Sequence, residues 1–323
     1  MRNERWQRAL DVQMDFWKWC DSAPGRTYNY CFFLEVLNKL GFEDETNVGP
    51  PSAQLARHLI STLWQADTMY VTSDMLHLLM QAAQDLPEEA TFDEKTLITP
   101  NGFCLFEEPI VGSYSNGETI LFHGMTWKVD VVNVSNDPTK MGKQDRCIVI
   151  YFLVDPTDDR DAYNQKFVSS LREFSVTTPP LTLQHFYPAT VGSTIARGSS
   201  PDIKTVADTL RLFIAMHLLG QQKIGEPMQM RPDRATRKRM ARTYGINERL
   251  ITLITLRRKS VKKDDHEPAK VEWSRRWAVQ GHWRNQYYPK TDTHSYVYIH
   301  EYIKGPEDKP FIPSERRIFN FRR

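Results

Sequence analysis

The sequence predicts an α+β protein laid out in three successive parts: a helical amino-terminal region over residues 1–95, a central α/β region over 96–230, and a basic, mostly β carboxy-terminal module over 231–323. Three observations carry this prediction. Apolar residues recur at helical spacing before about Leu97 and in short strand-like runs after it. Charge divides along the chain: residues 231–323 hold 23 Lys and Arg against 11 Asp and Glu, a net +12, while the remainder sums to −10. Residues 273–303 place eight Trp and Tyr in thirty-one positions, against 11% aromatic residues overall.

In the first part, Trp6, Leu10, Met14 and Trp17 recur at steps of four, four and three, which puts them on one face of a helix over residues 4–20. Three more helices follow: YNYCFFLEVLNKLG, stopped at Gly41; SAQLARHLISTLWQA, capped by Ser52 after Pro50 and Pro51; and SDMLHLLMQAAQDL, ending before Pro87. Their Trp, Phe, Leu and Met stripes are read as core, and His58 and His77 as structural. From Leu97 the runs GFCLFEEPI, ETILFHGMTWKVDVVNV and RCIVIYFLVD predict a small β-sheet. The carboxylates Asp155, Asp158, Asp159 and Asp161 follow the last run, but DPTDDRD lacks the Gly and the final Glu of a calcium loop and reads as a solvated turn.

The stretch HFYPATVGSTIARGSSPD reads as loop, with no phosphate-binding GxxxxGK[ST] pattern. Asp202 then caps a helix through Gly220, with His217 as a core histidine on its apolar face. Beyond it, RPDRATRKRMARTYGINER predicts a short basic helix between Asp233 and Gly245. RLITLITL, VEWSRRWAV and SYVYIHEYI are strand candidates, RRKSVKKDDHEPAK is a solvated loop, and GHWRNQYYP is a loop beside the strands. In SYVYIHEYI, Tyr296, Tyr298, His300 and Tyr302 alternate with Val297, Ile299, Glu301 and Ile303, giving one aromatic-polar face and one apolar face.

Composition narrows the function. No apolar run approaches eighteen residues, and MRNERWQRAL carries charges where an export signal needs an apolar core, so a cytoplasmic protein with no membrane partner is expected. Cys20, Cys31, Cys104 and Cys147 lie far apart and are expected to be reduced, buried thiols. No GxSxG or HExxH motif occurs, and His282, His294 and His300 are spaced too widely for a zinc motif. Neither a cofactor nor a metal is expected, and no enzymatic activity. The opposing expectation is a metal-independent RNA-cleaving enzyme using those histidines as acid and base. Interleaved rings and guanidinium groups suit single-stranded nucleic acid or a partner protein. The expected contact loop is His282, Trp283, Arg284, Tyr287 and Tyr288, with electrostatic support from Arg237, Lys238, Arg239 and Arg242.

Three segments then resemble a known family. AVQGHWRNQYYPKTDTHSYVYIHEYIKGPEDKP is similar to the carboxy-terminal Gly-His-Trp signature of the second type V-A anti-CRISPR family and its relatives in phages and mobile elements. DLPEEATFDEKTLITPNGFCLFEEPI and LRLFIAMHLLGQQKIGEPMQMRP resemble that family's helix-to-strand passage and its long apolar helix. The resemblance implies an anti-CRISPR-like protein that interferes with synthesis of a host defence protein. Its partners would be that protein as a nascent chain and RNA or a ribosome-associated complex. A direct protein-binding inhibitor is the other alternative.

Overall fold

The computed structural model describes residues 6–39, 51–113, 119–132, 145–160, 168–169, 177–195, 204–222, 227–255 and 274–311. It is an α+β fold of three layers, with a mixed seven-stranded sheet between two layers of helices. The first layer holds α1 (Arg8–Asp21), α2 (Ala23–Lys39), α3 (Pro51–Gln65) and a later basic helix. The second holds α4 (Ser73–Gln84) and α5 (Lys204–Gly220).

The sheet strands are β1 (Asp67–Val71), β2 (Asn101–Ser113), β3 (Thr119–Val132), β4 (Asp145–Val154), β5 (Thr182–Thr190), β6 (Met228–Met230) and β7 (Ile251–Ile254), in the order β5-β4-β3-β2-β1-β7-β6. Strand β1 runs parallel to both of its neighbours, β2 and β7, and the remaining pairs are antiparallel. The sheet thus draws strands from all three regions of the chain. Strand β4 shows why the run CIVIYFLV is apolar throughout. Cys147, Val149, Tyr151 and Leu153 face α1–α3, and Ile148, Ile150 and Phe152 face α4 and α5, so both faces are buried.

Three strands of the sheet lie where the sequence predicts none: β1, β5 and the three-residue edge strand β6. Asp67–Val71 is only five residues long between two helices, yet Thr68, Met69, Tyr70 and Val71 are all buried, and its parallel pairing makes it the pivot of the sheet. Residues 185–190, read as loop, belong to β5 (Thr182–Thr190). Pro188 is accommodated because β5 is an edge strand. Helix α3 begins at Pro51, a position where the missing N–H costs nothing. Cys20, Cys104 and Cys147 are buried, and burial pushes the Cys20 thiol up to about 12; Cys31 is exposed, because it lies on the outer side of α2. Gly41, Asp161, Asp202, Trp273 and the 257–270 loop lie outside the described residues. No described helix is long and apolar enough to cross a membrane.

Polar side chains tie the layers to the sheet. Buried Gln13 on α1 donates from Nε2 to the carbonyls of Leu63 (2.8 Å) and Ala66 (3.0 Å) at the end of α3, and accepts from Thr68 Oγ1 on β1 (2.5 Å). Glu107 caps the start of α4, accepting from Ser73 N at 2.8 Å. It sits in the β2 irregularity between Leu105 and Ile110, where Pro109 interrupts the ladder with β3.

Candidate nucleic-acid interface

The basic segment forms α6 (Arg234–Tyr244), bounded as its residues dictate. Asp233 accepts from Thr236 N at 2.7 Å as N-cap, and Gly245 closes the helix in the left-handed conformation at φ 70°. Thr236 and Met240 turn inward, Met240 packing against a cluster with Trp6, Leu10 and Met14 of the first layer. Two of the four predicted cations are partly engaged: Arg237 Nε donates to the Pro232 carbonyl at 3.2 Å, and Arg239 pairs with Asp11 on α1. Lys238 and Arg242 are exposed. With Arg234, which the sequence reading did not single out, they sit at i, i+4 and i+8, a stripe of cations rising about 6 Å per step. None of the three has an acidic partner among the described residues.

Beside this helix lies a cleft of about 660 Å³ between α1, α2 and α3, lined in part by Trp17, Tyr30, Ala56, Arg57, Ile60 and Trp64. Tyr244, the last residue of α6, meets Trp17 edge-on at 6.2 Å and donates to Asp15 Oδ1 at 2.7 Å, which fixes the helix against the cleft wall. Arg249 donates to the Trp64 carbonyl at 2.8 Å. The sequence assigns Trp17 and Trp64 to core stripes. Trp17 does pack against two core clusters, but its ring lies 4.5 Å from that of Trp64, which is 38% exposed at the margin of the layer. Helical periodicity identifies a stripe but not which of its members lie at the layer's edge.

The predicted contact loop GHWRNQYY is a strand, β9 (His282–Tyr288), paired antiparallel with β10 (Thr293–Ile299). The short strands β8 (Trp277–Val279) and β11 (Tyr302–Lys304) pair separately, so SYVYIHEYI is broken at His300 and Glu301. The aromatic face of the hairpin is turned inward onto α4 and α5. Trp283 pairs across the strands with Tyr298, their rings 5.2 Å apart, and both join Tyr296 against the second-layer core. Trp283 Nε1 donates to the Ala82 carbonyl at 2.7 Å, near the end of α4, where Leu86 N bonds to Ala83 O instead. The indole thus satisfies a helix-terminal acceptor.

Gln222, just after α5, holds the other strand: its Oε1 accepts from Tyr298 N at 3.2 Å and its Nε2 donates to Tyr296 O at 3.4 Å. Gly281 is required here, since a Cβ would stand 2.3 Å from Tyr298 Oη. The Gly-His-Trp signature is therefore a docking device: Gly281 admits the Tyr298 ring and Trp283 ties the hairpin to α4.

The other residues of the predicted loop remain open. His282, Arg284 and Tyr288 alternate on the outer side of β9, and Tyr287 is 43% exposed, donating to Asp292 Oδ1 at 2.9 Å. The predicted set is split. The hairpin lies on the α4–α5 side of the sheet, whereas Arg237, Lys238, Arg239 and Arg242 lie on the α1–α3 side.

The three histidines are split as well. His282 is opposite Ile299 on the outer side, whereas His294 is opposite Tyr287, five positions and about 17 Å along the hairpin on the other side. His300 stacks edge-on with Tyr298 at 5.7 Å, and burial lowers its pKa. His282 and His294 are too far apart to act on one phosphate.

Two further histidines, His58 partly and His217 fully buried, are held as struts. His58 on α3 lies 2.6 Å from Tyr151 Oη and 3.1 Å from Asp130 Oδ2; burial lowers its pKa against the opposing pull of Asp130. His217 accepts from Ile98 N at 3.1 Å and touches Phe213 and Trp127 edge-on, with burial taking its pKa down to about 3. At the acidic turn, Asp158 is paired with Arg160 at 2.5 Å and His123 at 3.0 Å. No group of three potential metal ligands occurs among the described residues.

No family model matches the chain, and no curated protein matches it. Among solved structures, a crystal structure of AcrVA2 is similar at a TM-score of 0.37 and 13% sequence identity, over 93% of this chain and 95% of that one.

Proposed function

We propose that this chain is an RNA-binding adaptor, anti-CRISPR-like in role, that interferes with the synthesis of a host defence protein. RNA runs along α6 on one face of the molecule, and a polypeptide partner, the nascent defence protein, engages the open side of the β9–β10 hairpin on the other. The observation that carries this is the cation stripe Arg234, Lys238 and Arg242, presented outward from a helix whose other sides are tied to α1. Such a stripe gains from phosphate by releasing condensed counterions, whereas its folding role is already discharged by Met240 and the caps. Placement of the second open patch on the opposite side of the sheet lets two macromolecules bind without competing for space.

Co-expression with a susceptible target gene tests the proposal. Target protein and transcript should fall together, and combined replacement of Arg234, Lys238 and Arg242 by Gln should abolish transcript loss while the protein partner is still retained. Stoichiometric inhibition of the finished target with its transcript unchanged would refute it.

A further inference from the structure

We propose that the cleft between α1, α2 and α3 holds one unstacked nucleotide of the RNA strand bound along α6, its base on the Trp64 and Trp17 rings and its phosphate on Arg57. This inference rests on the RNA reading above and adds a specific subsite to it.

The two indoles sit 4.5 Å apart and tilted at 45°, which leaves no gap for a base between them; both line the cleft, and Trp64, 38% exposed, is the more open of the two. Ala53, Ala56, Arg57, Ile60, Ser61 and Trp64 form a stripe along α3 at spacings of three, one, three, one and three residues, and all line the cleft. The small side chains Ala53, Ala56 and Ser61 leave room for a flat ring, and the cleft falls within the ~300–1,000 Å³ span of ligand sites. Arg57 in the middle of that stripe is exposed and has no acidic partner among the described residues. Arg26 at the rim differs: Asp21 holds its guanidinium at 2.5 Å. The cleft therefore offers a ring surface with one uncommitted cation, complementary to a base and its phosphate. Contact between Tyr244 and Trp17 joins the cleft to the carboxy-terminal end of α6, two residues past Arg242 and on the inward side of the helix, so a strand on the cation stripe reaches the cleft by rounding that end.

The test is fluorescence anisotropy of the full chain with labelled ten-nucleotide uridine and adenosine RNAs across a salt series. Trp64→Ala should weaken binding about tenfold at every salt concentration, and Trp64→Tyr should recover most of it, because stacking needs a ring rather than an indole. Arg57→Gln should reduce the salt slope by about 0.7, one phosphate contact on a single strand. Circular dichroism of each variant checks that the layer is intact. If the α6 stripe variant loses binding while Trp64→Ala and Arg57→Gln bind like wild type, the cleft subsite is wrong and the helix site stands. If the wild-type chain binds neither RNA, both fall. Displacement of the RNA by an apolar peptide, with Trp64→Ala still binding RNA at full strength, would assign the cleft to protein instead.

Discussion

Replacing Trp283 separates a docking ring from an open contact ring. The indole Nε1 donates to Ala82 O at 2.7 Å, and the ring is half-buried between α4 and Tyr298. Trp283→Phe keeps most of the ring and loses the hydrogen bond, which costs about 1 kcal/mol, with a further penalty for leaving a helix-terminal carbonyl without a partner. Trp283→Ala also removes roughly 100–150 Å² of buried apolar surface, half or more of an aromatic side chain's contribution, worth about 3 kcal/mol at ~25 cal/mol per Å². The total for Ala is then about 4 kcal/mol. The loss falls on the attachment of the hairpin, so the readout is amide hydrogen exchange in residues 282–299 alongside urea unfolding. Exchange there should accelerate by two or more orders of magnitude in Trp283→Ala and by about one order in Trp283→Phe. Unchanged protection in both variants, together with a loss of RNA binding, would refute the docking role and restore Trp283 as a stacking platform.

Other outcomes follow from the same geometry. Gly281→Ala should destabilise hairpin docking by about 1–3 kcal/mol, since its Cβ would fall 2.3 Å from Tyr298 Oη, and limited proteolysis should cut the hairpin sooner. Replacing Arg234, Lys238 and Arg242 together should reduce the slope of log affinity against log salt by about 2, roughly 0.7 per phosphate, read from RNA titrations at several salt concentrations. Burial lowers the folded-state pKa of His217 from 6.5 to about 3, so between those values the unfolded chain takes up the proton more readily. Stability present above pH 6.5 should thus decline as pH falls, by up to about 1.4 kcal/mol per pH unit, and His217→Gln should flatten that part of the profile in urea unfolding at pH 4–7.

Local signals in the sequence account for much of the fold. Asp233 and Gly245 bound α6, and RCIVIYFLVD announces a strand. What escaped were features decided by distant contacts. Asp67–Val71 is too short for its period to be distinguished, and becomes a strand because β2 and β7 flank it. Pro188 and the Gly and Ser beyond it disguise β5, whose edge position tolerates them.

The site shows the same division. Alternation in SYVYIHEYI places Tyr296 and Tyr298 on one side, but only the docking of α4 and α5 makes that side the buried one, with Tyr298 1% exposed. The apolar arc of α3 likewise runs from Leu59, fully buried, round to Trp64, 38% exposed at the layer's margin. The rings of Trp283, Tyr296 and Tyr298 near the carboxy terminus therefore report packing, and the cleft rings emerge only from the arrangement of α1, α2 and α3.

Ultraviolet crosslinking of the full chain to single-stranded RNA, with the crosslinked peptides mapped, reads out which side of the sheet holds RNA. RNA held on the α1–α3 side should give crosslinks in peptides spanning residues 234–244 and around Trp17 and Trp64, with the hairpin unlabelled. Crosslinks confined to residues 282–288, with α6 and the cleft unlabelled, would move RNA binding to the hairpin and rule out the α6 site.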